Sequence, residues 1–87
     1  MERETAAILR TLGFRVRELR LKMGLTQEQA AEKLKMLAPN YARIEQGRAN
    51  ATVDTLVRVS KMLGVSLSEL FGLPENRIAR VGRPRRS

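Results

Sequence analysis

The run from Ala38 to Ile44 sets an amide and a guanidinium three residues apart, Asn40 and Arg43, on one side of a short helical pattern. Tyr41 and Ile44, also three apart, form the apolar side that anchors such a helix, which leaves Ala38, Pro39, Asn40, Ala42 and Arg43 facing outward. The chemistry open to that outward face is recognition rather than bond-making. A guanidinium can fork onto O6 and N7 of guanine, and an Asn amide can bridge N6 and N7 of adenine. Each also has a plainer use: Arg43 can pair with Glu45 or another surface acid, and an Asn in a first helical turn can satisfy free backbone amides.

The rest of the composition offers little else that reacts. The chain has neither Cys nor His, which removes disulfides, the usual zinc sites, thiolate nucleophiles and imidazole bases together. Ser60, Ser66 and Ser68 have no His to activate them, and the acids are scattered among Lys and Arg as on a solvated helix face. No enzyme and no cofactor are expected. Glu45, an isolated acid in a basic stretch, is read as orienting Arg43 or a neighbouring Arg. The formal net charge is +8 and Arg far outnumbers Lys; the guanidinium fork suits phosphates and base edges better than an ammonium does. Polyanions are therefore the expected partners, although positive charge also keeps a small protein soluble and does not by itself separate the two readings. No apolar run approaches the roughly 18 residues of a membrane span, and Met1-Glu2-Arg3-Glu4 lacks the basic-then-apolar order of a signal peptide. The expectation is a cytoplasmic protein, at the nucleoid and without membrane contact.

The elements that must position these side chains follow from periodicity and caps. A length of 87 residues allows one domain around one modest core. Ile8, Leu12, Val16, Leu19 and Met23 recur at spacings of three and four and predict an amphipathic helix from about Thr5 to Lys22. Gly13 within it costs up to about 1 kcal/mol, which leaves open a start near Leu12 with a loose arm before it. Thr26 caps a second helix that runs to about Leu34, with Gln29 completing a capping box and Leu25 placed as a staple. After the break Lys35-Met36-Leu37, a third helix covers roughly Ala38 to Gln46, with Pro39 in its first turn and Gly47 ending it. Thr52 caps a fourth, whose Val53, Leu56, Val57, Val59, Met62 and Leu63 give a broad apolar surface before Gly64 stops it. Ser66 with Glu69 opens a short fifth helix ending at Phe71-Gly72. Residues 1–73 thus read as a compact, all-α, five-helix domain. Residues 74–87 read as a disordered basic tail, with Arg77, Arg80, Arg83, Arg85 and Arg86 against one acid.

Helices two and three are separated by about three residues, too few for antiparallel stacking, so the third leaves the second at a steep angle as in a helix-turn-helix. Ala31 supplies the small side chain that such a joint needs. The segments Gly24-Leu25-Thr26-Gln27 to Ala31, Tyr41 to Gly47 and Leu63 to Phe71 together resemble the lambda-repressor/Cro (Xre-like) helix-turn-helix family, over about Leu12 to Phe71. The resemblance implies that the third helix enters the major groove while the second lies across the phosphate backbone. It implies sequence-specific binding of duplex DNA by a transcriptional regulator, a repressor first of all, acting as a homodimer on half-sites about 34 Å apart. By position it makes Ala38, Pro39, Asn40 and Arg43 base-facing, and Gln27, Gln46 and Arg48 phosphate contacts, Gln27 aided by the positive end of its helix. Each of the last three has the alternative of a merely solvated side chain. Tyr41 and Ile44 remain core anchors, the Tyr41 hydroxyl being expected in water. An antitoxin or other protein-interaction module, and a restriction-modification controller, are alternatives that share the DNA chemistry.

The chain departs from the family pattern at three places. Lys35 stands where the turn usually has Gly, Leu37 where the third helix usually has a Ser or Thr cap, and Ala38 and Pro39 where polar base-readers are common. Either Leu37 caps the third helix without a side-chain bond, or Ala38 takes the cap and Pro39 becomes the first helical residue. In the tail, Gly82-Arg83-Pro84 among Arg80, Arg85 and Arg86 resembles an AT-hook, which lays Arg into a narrow A·T minor groove; phosphate attraction and no role at all are the alternatives. The apolar surface of the fourth helix with Leu67, Leu70 and Phe71 is either the dimer interface or part of the monomer core.

Overall fold

Four of the five helices in the computed structural model, which describes residues 2–72, begin at a side chain that accepts a hydrogen bond from a free backbone amide. Glu2 does so for α1 (Arg3–Lys22), Thr26 for α2 (Gln27–Leu34), Thr52 for α4 (Val53–Leu63) and Ser66 for α5 (Leu67–Leu70). Thr26 with Gln29 and Ser66 with Glu69 close full capping boxes. The exception is α3 (Ala38–Glu45), whose N-cap is Leu37 and carries no side-chain bond. Of the two registers open at this helix start, the chain adopts the one with Leu37 as cap and Ala38 and Pro39 as its first two helical residues. Pro is tolerated there because its missing N–H is one of the first-turn donors that no helical carbonyl reaches. The chain reaches Leu37 through Lys35, which holds a left-handed φ of 56° at the end of α2, in the position where Gly was the expected residue.

Helix α1 runs unbroken through Gly13, so the alternative of a late start near Leu12 is not the one adopted. A Cβ at Gly13 would lie 2.5 Å from the carbonyl oxygens of both Ile44 and Glu45. The absent side chain lets α1 press against the C-terminal end of α3, and that packing outweighs the intrinsic helix cost of Gly. The buried stripe of α1 is Leu9, Leu12, Val16 and Arg20, whereas Ile8 and Met23 are 49% and 46% exposed. The apolar pattern read from the sequence was therefore off at both ends: the stripe includes Leu9 rather than Ile8, and closes on a buried Arg rather than on Met23.

The core joins this stripe to Ala30, Ala31 and Leu34 of α2, Tyr41 and Ile44 of α3, Leu56, Val59 and Leu63 of α4, and Leu70 of α5. Ala31, 2% exposed, lies in the core where α2 turns into α3, and its single methyl is what the close approach accommodates. Leu56, Val59, Leu63 and Leu70 are consumed by the monomer, which removes them from the candidate dimer interface and leaves Phe71 and Leu67 at its edge. Gln46 is the C-cap of α3 and Gly47 follows with φ 72°, so the helix stops one residue before the expected end. Among the described residues no helix is long and apolar enough to cross a membrane.

Candidate nucleic-acid interface

The back of α3 is held by more than its apolar anchors. Tyr41, Ile44 and Glu45 sit at i, i+3 and i+4 and all point inward, with Tyr41 0% and Ile44 3% exposed. Glu45 receives a forked contact from Arg20 of α1, Nε to Oε2 at 2.6 Å and Nη2 to Oε1 at 3.1 Å. The remaining Arg20 nitrogen, Nη1, donates to the Leu25 carbonyl at 2.7 Å, and the Gln27 amide donates to Glu45 Oε1 at 3.0 Å. One carboxylate thus ties the end of α1, the start of α2 and the end of α3. Burial opposes its charge, but hydrogen bonds led by the Arg20 guanidinium outweigh that and hold the Glu45 carboxyl below its ordinary value. Glu45 in turn raises the Arg20 pKa, principally through the same hydrogen bonds.

Two readings of this region are corrected. Glu45 does not orient Arg43; it faces the opposite way and pairs with Arg20 of α1. The Tyr41 hydroxyl is not in water: it is buried beside Glu45 without a well-formed hydrogen bond, and burial, then the neighbouring carboxylate, push its pKa up. A signal for the ion pair was present in the spacing, since Glu45 continues the Tyr41–Ile44 stripe and Arg20 stands four residues after Val16 on the core stripe of α1. The assumption that charges sit outside hid it.

The front of α3 is free. Pro39, Asn40 and Arg43 are exposed, while Ala38 and Ala42 are half-buried at the flanks. Arg43 forms no salt bridge and the Asn40 side chain no hydrogen bond to backbone among the described residues, so neither plainer use is taken up. Asn40 and Arg43 line an open groove of about 290 Å³ together with Asn50 and Thr52, where the chain leaves α3 for α4. Gln46 and Arg48 are exposed beside it. The Arg48 amide donates to the Arg43 carbonyl at 2.9 Å, which folds the chain back at the end of α3. Gln27 is half-buried, with one amide hydrogen engaged by Glu45; the second remains available to an outside acceptor. Arg80, Arg83, Arg85 and Arg86 lie outside the described residues.

A short helix whose back is clamped and whose front is bare, set across a second helix by a left-handed turn, defines a helix-turn-helix reader. Residues 16–70 match the family model described as Helix-turn-helix, and the chain belongs to that family, in its lambda-repressor-like form. It is 38% identical over 63 residues to the HTH-type transcriptional regulator PuuR of Escherichia coli, a match covering 72% of this chain and 34% of that protein. It is 38% identical over 65 residues to the HTH-type transcriptional regulator ImmR of Bacillus subtilis, covering 75% of this chain and 51% of the relative. The chain therefore spans between about a third and a half of these regulators. Among solved structures it resembles the restriction-modification controller protein C.AhdI from Aeromonas hydrophila, with a TM-score of 0.70, 29% identity, and coverage of 75% of this chain and 94% of that one.

Proposed function

We propose that the protein binds duplex DNA through α3 in the major groove and regulates transcription, with repression as the mode of action, as a two-fold dimer on an inverted repeat. The observation that carries this reading is the contrast across α3: Asn40 and Arg43 exposed and unengaged in front, Tyr41, Ile44 and Glu45 locked behind. Base-edge recognition needs donors held rigidly but not consumed by the protein itself. Ala38, Pro39, Asn40 and Arg43 then face bases, and Gln27, Gln46 and Arg48 reach phosphates on either side. A net charge of +8 favours the encounter. The apolar hollow of about 390 Å³ lined by Ala7, Ile8, Thr11, Leu12 and Phe71 joins the exposed part of α4 around Val53 as surface offered to a second copy. Residues 75–87 add salt-sensitive attraction for phosphate.

Selection of bound fragments from random duplex DNA tests the reading. A recovered inverted repeat with half-sites about one helical turn apart supports it, and indifference to duplex DNA at low ionic strength overturns it. A second reading, control of a restriction-modification system, rests on the 94% of C.AhdI that this chain covers; it predicts the same DNA chemistry and an operator upstream of a restriction gene.

A further inference from the structure

Leu37, Ala38 and Pro39 are three consecutive residues without one side-chain hydrogen-bond donor or acceptor, and they form the leading end of α3. In the proposed docking, which this inference rests on, the N-terminal residues of that helix come nearest the base edges. Leu37 is 71% exposed, more than any other large apolar residue described, and Pro39 beside it is exposed as well. Every other helix of the described chain spends its N-cap on a side-chain oxygen that accepts an amide; this one spends it on an isobutyl group held in extended backbone at φ −71° and ψ 140°.

Only one feature of the major-groove floor rewards such a surface. Guanine, adenine and cytosine present donors and acceptors there, and thymine adds the C5 methyl group. Setting Leu37 or Pro39 against a polar edge would desolvate that edge without replacing its hydrogen bonds, which is unfavourable, whereas against a methyl the same contact removes apolar surface from water on both sides. We infer that Leu37, with Ala38 and Pro39, is a specificity determinant that selects thymine by its methyl group, leaving Asn40 and Arg43 to read adenine and guanine further along the helix. Leu37 takes up a position that no hydrogen-bond reading of α3 would include.

The test uses the full-length protein and an operator obtained by selection. Uracil replaces each thymine in turn, which removes the methyl and leaves every hydrogen-bonding group in place. At one or two positions per half-site affinity should fall about threefold to tenfold. Leu37→Ser should bind thymine and uracil operators there within twofold of each other, with a Tm no lower than that of the unaltered protein. Placing 5-methylcytosine at a position where cytosine had weakened binding should recover part of the loss. Uniform affinity for thymine and uracil operators, or undiminished uracil sensitivity in Leu37→Ser, overturns the inference even while Arg43→Ala still weakens operator binding more than binding to unrelated duplex. Failure of the unaltered protein to select any duplex sequence overturns the DNA-binding reading itself, so the two failures are distinct.

Discussion

The two ends of α3 are built on opposite terms. At its C-terminal end Glu45 and the Ile44 and Glu45 carbonyls are pressed against α1, with Arg20, Gly13 and Gln27 all converging on them. At its N-terminal end the Leu37 side chain makes no cap bond and Pro39 and Asn40 are exposed. The difference teaches how an eight-residue helix, too short to be stable alone, can present side chains rigidly to a partner. Fixing one end in a low-dielectric clamp sets the axis, and the other end is then free to be composed for the ligand rather than for the fold.

Breaking the clamp should have the largest effect. Glu45→Ala leaves the Arg20 guanidinium buried without its counter-charge, which costs on the order of 3–5 kcal/mol. Against the 5–15 kcal/mol typical of a whole small domain, that is about a third or more of the total in most of the range, and urea denaturation should show a midpoint far below that of the unaltered protein. The pair also sets an acid limit. Because the folded Glu45 carboxyl titrates below its ordinary value, its contribution is complete above that value and is lost as pH falls through the lowered one. The unaltered protein should therefore lose stability more steeply than Glu45→Gln as pH falls below the ordinary carboxylate range; parallel dependence of stability on pH for the two would show that Arg20 and Glu45 contribute no ionic stabilisation.

Next in size is Gly13→Ala. In an isolated helix this exchange gains up to about 1 kcal/mol. Here the new methyl would meet two carbonyl oxygens at 2.5 Å, so α1 and α3 must separate, and a net loss of about 1–3 kcal/mol is expected by thermal or chemical denaturation. On the free side of the helix the expectations reverse. Arg43→Ala should leave stability within about 0.5 kcal/mol, since the side chain is exposed and forms no ion pair among the described residues. It should weaken operator binding by about 1–3 kcal/mol in a titration, with a smaller loss on unrelated duplex. Equal losses on both DNAs would make Arg43 a phosphate contact.

The same contrast explains what the sequence disclosed. All five helices, both capping boxes and the inward Tyr41 and Ile44 were legible because each rests on a local rule: periodicity or a cap. The outward residues of α3 followed by subtraction. Arg20, the buried Glu45, the Gln27 amide turned toward it and the purpose of Gly13 were not read, because each depends on a partner 18 to 32 residues away along the chain, and a lone charge or glycine looks the same whether it is solvated or locked. Ile8 and Leu9 were confused for a related reason: both are apolar and adjacent, and only the contact with the rest of the core decides which one turns inward.

The smallest effect expected is a gain at the free end, set against a loss at a capped one. Thr26→Ala removes the hydroxyl that accepts from the Gln29 amide, one of the two bonds of the α2 capping box, and should cost about 1 kcal/mol. Leu37→Ser supplies α3 with the oxygen it lacks, but the return is limited. The usual donors to such an oxygen are the amides at the second and third helical positions, and Pro39 occupies the second with no N–H to give, so only Asn40 can be capped. A gain of a few tenths of a kcal/mol to about 1 kcal/mol follows, read as a rise in Tm of up to several degrees for a domain of this size. If Leu37→Ser instead lowers Tm, Leu37 supports the fold despite its exposure, and the N-terminal end of α3 is as much committed to the protein as the C-terminal end.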